Sequence, residues 1–112
     1  YYQIEVNPEG TIFDADRYSG MLNQQWESLA TVETERGDEQ WRTIIRIPVV
    51  STEKGAGDPI HNVVGDQPGK DNPWFFNVAR VRPREDGISV STFSPIQGKY
   101  HSIHSFGKLI MK

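Results

Sequence analysis

The chain contains no cysteine, so disulfide frameworks, zinc–thiolate centres and cysteine nucleophiles are excluded together. That absence leaves the compartment open. No apolar run approaches the ~20 residues of a membrane-spanning helix, and the first residues show no signal-peptide pattern. Excess charge of one sign is also missing: 12 Lys and Arg stand against 15 Asp and Glu, a formal net charge of -3. The sequence shows no basic block, so a nucleic-acid partner is not expected. A Gly-x-Ser-x-Gly elbow is absent as well, which leaves a hydrolytic triad without its usual signature. The fifteen acids have no spacing that identifies a pair for glycoside cleavage, and solvated surface charge accounts for them.

The 112 residues suffice for one domain and fall short of two. Hydrophobic residues make up 36% and charged residues 24%, the makeup of a globular domain with a small core. Ten glycines and seven prolines divide the chain into short segments, which favours strands over long helices. Because it opens on Tyr1 and passes directly into a strand-like run, the chain reads as a piece of something longer.

Alternation places the strands. Tyr2, Ile4 and Val6 share one side of a first strand, and Asn7-Pro8-Glu9-Gly10 is a turn by composition. Thr11-Ile12-Phe13 returns as a second strand, expected to end at the polar stretch Asp14 to Ser19 and Gly20. Met21 to Glu27 reads as a loop carrying Trp26. Leu29 to Glu35 alternates, Arg36-Gly37-Asp38-Glu39 turns, and Trp41 to Ile47 is the hairpin partner. Between Pro48 and Pro73 the chain is irregular, with Ile60 to Val64 as one short ordered piece. Trp74 to Arg82 reads as a single strand, apolar on both faces at its start and therefore central. Arg84-Glu85-Asp86-Gly87 turns into Ile88 to Phe93, and Phe106 to Met111 is the last strand. Six or seven short strands predict an all-β chain, an antiparallel β-sandwich of jelly-roll or immunoglobulin-like type.

Candidate ligand chemistry is sparse. His101 and His104 lie three apart with no third metal ligand nearby in sequence. Asp14-Ala15-Asp16 followed by Gly20 has the opening of a calcium loop, but Tyr18, Ser19 and Gln25 stand where an EF-hand needs an oxygen ligand, a glycine and a glutamate. That excludes an EF-hand and leaves Asp14 and Asp16 as candidates for a structural calcium in a sandwich loop. The aromatics carry more. Most of the rings serve a core, yet Phe93 at a strand end and Tyr100 beside His101 can present ring faces together with Arg80 and Arg82. Such a group stacks on the apolar side of a sugar and hydrogen-bonds its hydroxyls. For each ring, core packing is the alternative reading.

Three stretches are similar to the carbohydrate-binding module family 9-like domains. They are Tyr1 to Pro8 with Gly10 and Asp14; Trp41 to Pro48, with Ile44 where the family often has an acid; and a third set along the rest of the chain. This last set comprises Pro68-Gly69, Trp74-x-x-Asn77-x-x-Arg80, Phe93-Ser94-Pro95, Tyr100-His101 and Phe106-Gly107-x-Leu109. The resemblance implies a non-catalytic carbohydrate-binding sandwich attached to a glycoside hydrolase or similar secreted, cell-surface or periplasmic bacterial protein. Its site residues would be Phe93, Arg80, Arg82, Asn77 and Tyr100. Phe93 departs from the tryptophan that, in sugar-binding members, is one of two clamping rings; it keeps a stacking face and loses the indole donor. The resemblance also implies strands preceding Tyr1, which would leave an open sheet edge beside Tyr1 to Val6 and a seam for a homodimer. Two alternatives remain: a structural or interaction module with no sugar site, and a haem-binding sandwich using Met21, Met111 and the three histidines.

Overall fold

The computed structural model describes residues 1–18, 20–99 and 101–112. The fold is all-β, with helix limited to a four-residue turn and a short 3-10 turn. No helix among the described residues is long and apolar enough to cross a membrane. The chain divides into two compact units, residues 1–66 and 67–112.

In the first unit β1 (Tyr2–Val6), β2 (Ile12–Tyr18) and β3 (Met21–Asn23) form an antiparallel sheet in that order. Asn7 closes the first turn: its Oδ1 accepts from the Glu9 and Thr11 amides, and Gly10 takes a φ of 84°. Glycine adopts this left-handed backbone without Cβ strain. Contrary to the expected end at Phe13, β2 runs through the polar stretch to Tyr18. Polarity does not stop it because its side chains find partners. Asp14 Oδ2 accepts from both the backbone amide and the hydroxyl of Ser28 at 2.7 Å, and Arg17 donates to Gln3, which donates to Glu5. Within the described residues β1 is an outer strand, paired with β2 alone.

The core of this unit gathers on Trp26, which is 1% exposed. Its ring stacks on Tyr2 with centroids 4.7 Å apart, and its Nε1 donates to the Asn62 carbonyl at 3.0 Å. The neighbouring backbone is tied the same way, Glu27 donating to Ile60 and Asn62 donating to Glu27. The segment expected to be a loop thus supplies the most buried large side chain. Burying the ring without its N–H partner would forfeit part of the gain.

The predicted hairpin forms as β4 (Thr31–Arg36) and β5 (Trp41–Arg46). Val32, Thr34, Trp41 and Thr43 occupy its half-buried face, and the other face carries Glu33, Glu35, Arg42 and Arg46. Glu35 lies directly opposite Arg42, and Arg46 reaches Glu33 at 2.6 Å. The irregular stretch contains β6 (Val49–Val50) paired in parallel with β7 (Val63–Val64), joined through the helical turn α1 (Thr52–Gly55). Gly55 is buried so close to Val64 that an added Cβ would stand 2.5 Å from a valine methyl.

In the second unit the single strand expected over Trp74 to Arg82 is divided. β8 (Trp74–Phe76) pairs with β11 (Gly107–Leu109), whereas β9 (Ala79–Arg84) pairs with β10 (Gly87–Thr92). Each pair is a two-stranded sheet, so the stretch is not the central strand its apolar start suggested.

The Asp14–Ser28 contact yields a direct test. In chemical denaturation Asp14→Ala should lose about 1–3 kcal/mol, because it strands the amide of fully buried Ser28. Asp16→Ala should stay within about 0.5 kcal/mol. Equal losses would contradict the assignment.

Candidate ligand-binding site

The break between β8 and β9 falls at Asn77. Its Oδ1 accepts from the Val78 and Ser94 amides, both at 2.9 Å, and its Nδ2 donates to the Ser94 carbonyl at 3.3 Å. A side-chain amide with one acceptor and two donors can imitate a peptide group. Here it pairs with Ser94 as a strand residue would, while the backbone turns away. Beyond the joint, Phe93 donates to the Val78 carbonyl at 2.8 Å, extending the β9–β10 register by one pair.

That register sorts the ribbon into two faces. Arg80, Arg82 and Arg84 lie opposite Ser91, Ser89 and Gly87, and the extended pair Val78 and Phe93 continues this face. Ala79, Val81 and Pro83 lie opposite Thr92, Val90 and Ile88 on the other. All six residues of β9 are exposed. Successive arginines stand about 7 Å apart along the strand. Their like charges repel one another along this face.

None of these three guanidinium groups has a hydrogen-bond or ion-pair partner among the described residues, whereas Arg36 pairs with Glu9 and Arg46 with Glu33. The charge is segregated as well. Residues 67–112 carry seven Lys and Arg against three Asp and Glu, a formal +4, and residues 1–66 carry five against twelve, a formal -7. The total of -3 concealed a basic face that alternation builds.

Phe93 is 67% exposed. One side of its ring stacks on Phe76, centroids 5.2 Å apart, and its edge lies over Gly107, where an added Cβ would stand 3.4 Å from Phe93 Cε1. The ring is therefore braced from β8 and β11 and open elsewhere. Of the residues singled out from sequence, Phe93, Arg80 and Arg82 share this face. Asn77 lies at its end with its amide engaged in the joint. Tyr100 lies outside the described residues. Arg84, which continues the same i, i+2 spacing, joins Phe93, Arg80 and Arg82 without having been singled out from the sequence, as does Phe76, whose bracing role depends on the distant Phe93.

Asp14 and Asp16 belong to strand β2 rather than a loop. Among the described residues no group of three or more His, Asp or Glu side chains could hold a metal ion. A smaller polar cluster, with no local signal in the sequence, joins Asp58, His61 and Glu27. His61 Nδ1 lies 2.9 Å from Asp58 Oδ2, and Nε2 lies 3.8 Å from Glu27 Oε2. The hydrogen bond from His61 holds the Asp58 carboxyl below its ordinary range, outweighing an opposing effect of burial.

No known protein family, curated protein or solved structure matches the chain.

Two outcomes follow from the geometry. Asn77→Ala should destabilise the chain by about 1–3 kcal/mol and abolish slow hydrogen exchange at the Ser94 amide; unchanged exchange would contradict the joint. A lowered folded-state pKa means that the Asp58 contribution is present above the unfolded carboxyl's pKa and lost as pH falls through the lowered value. Carboxyl NMR should therefore place the Asp58 midpoint below that of an unstructured aspartate, and His61→Ala should raise it. An unmoved midpoint would remove His61 as the cause.

Proposed function

We propose that the chain is a non-catalytic carbohydrate-binding module of a larger secreted or surface protein, with its site on the arginine face of the β9–β10 ribbon. The observation that carries this reading is the Phe93 ring, exposed and braced by Phe76, on the face that holds Arg80 and Arg82. A fixed ring offers a stacking surface for the apolar side of a sugar, and planar guanidinium donors orient its oxygens. The similarity to family 9-like modules supports the same assignment, since Phe93 stands where that family places a clamping ring. With one ring and few desolvated polar contacts, affinity should be modest.

A second reading, an interaction module without a sugar site, has its own support. The opposite face of the ribbon exposes Val81 at 46%, Ile88 at 73% and Val90 at 40%, a contiguous apolar strip suited to another protein surface.

A glycan panel separates the two. The full chain should bind at least one polysaccharide, and Phe93→Ala should weaken that binding on the order of tenfold. Tyr18→Ala, which removes a 70% exposed ring in the other unit, should leave it unchanged. Absence of binding across the panel, or indifference to Phe93→Ala, would overturn the sugar reading.

A further inference from the structure

We infer that the ligand of this face is an acidic polysaccharide built from uronic acids, an inference that rests on the carbohydrate reading above. Donor and acceptor chemistry leads there. Each hydroxyl of a neutral sugar both donates and accepts, so a site for it needs acceptors as well as donors. Arg80, Arg82 and Arg84 supply donors only, and the positions opposite them hold Ser91, Ser89 and Gly87 without a carboxylate. Fifteen acidic residues are available in the chain, yet none is paired with these guanidinium groups among the described residues. Among the described residues the face thus sets the Ser89 and Ser91 hydroxyls, its side-chain acceptors, against three guanidinium groups rich in unpaired charge-assisted donors. A carboxylate supplies what is missing, because it accepts two parallel N–H bonds from one guanidinium.

The spacing fits a charged group carried on the sugar itself. Phe93 lies opposite Val78, so Arg80 is its diagonal neighbour, roughly 7–8 Å away. A uronate stacked on Phe93 carries its carboxylate on the same pyranose ring, within reach of the long Arg80 side chain. Arg82 and Arg84 continue the row for acidic groups farther along the chain.

A nucleic acid fits less well. Single-strand sites stack successive bases on several rings, whereas among the described residues this face carries the one ring of Phe93.

The test uses the intact chain with a homogeneous oligogalacturonate, the same oligomer fully methyl-esterified, a sulfated glycan, a neutral xylan oligomer and single-stranded DNA. Calorimetry should show oligogalacturonate binding that falls on the order of tenfold on esterification. Arg80→Gln, Arg82→Gln and Arg84→Gln should each weaken it about two- to fivefold and flatten its salt dependence, while Phe93→Ala weakens the acidic and esterified oligomers alike. If the ester binds as well as the acid and the arginine variants are silent while Phe93→Ala still weakens binding, the uronate inference fails and the sugar reading stands. If no glycan binds and Phe93→Ala changes nothing, both fail. Tighter binding of the sulfated glycan or of DNA overturns the uronate assignment.

Discussion

The carboxamide of Asn77 replaces backbone pairing at the point where the chain leaves one sheet for another. By accepting from Val78 and Ser94 and donating back to Ser94, it lets β8 pair with β11 while β9 pairs with β10. Had the strand run straight from Trp74 to Arg82, Phe76 and Phe93 would not be held by separate pairs that meet at a stacked contact. The division places Phe93 over Gly107 and beside Phe76 and leaves the arginine row projecting from the ribbon beyond it. The bracing of the Phe93 ring depends on this joint.

The ribbon shows how a sequence with a negative total charge can present a basic surface. Period-two alternation puts Arg80, Arg82 and Arg84 on one face and Ala79, Val81 and Pro83 on the other, and the two-residue turn at Glu85-Asp86 brings serines opposite the arginines. Both faces remain exposed, whereas isolated two-stranded ribbons are marginal in water. A bound anion would relieve the repulsion among the arginines, and contact on the apolar strip would remove hydrocarbon surface from water. The two faces therefore differ in chemistry, one charged and one apolar.

The all-β class and the β4–β5 hairpin were legible because their signals are local: alternation on both strands and a turn rich in Gly and Asp between them. The break at Asn77 was not, since its cause is a hydrogen bond to a residue seventeen positions away. The continuation of β2 through Asp14 was hidden for the same reason, its polar side chains being satisfied by Ser28 and Gln3. Trp26 sat in a segment with no periodicity, and only Tyr2 and Asn62, remote in sequence, make it the centre of the first unit. For the candidate site, residue types alone pointed to Phe93, Arg80 and Arg82, and pairing places these three on one face. That Arg84 joins them, and that they form a face, follows from pairing geometry that net charge averages away.

A residue-resolved NMR titration of the intact chain with oligogalacturonate, following backbone amides, arginine Nε–H signals and aromatic ring protons, tests the arginine face most directly. Saturating shifts should concentrate on the Phe93 ring and on the Nε–H groups of Arg80, Arg82 and Arg84, with Ile88, Val90 and residues 1–66 unmoved. Shifts centred on the Ile88–Val81 strip or in the first unit, or none at any concentration, would contradict this placement of the site.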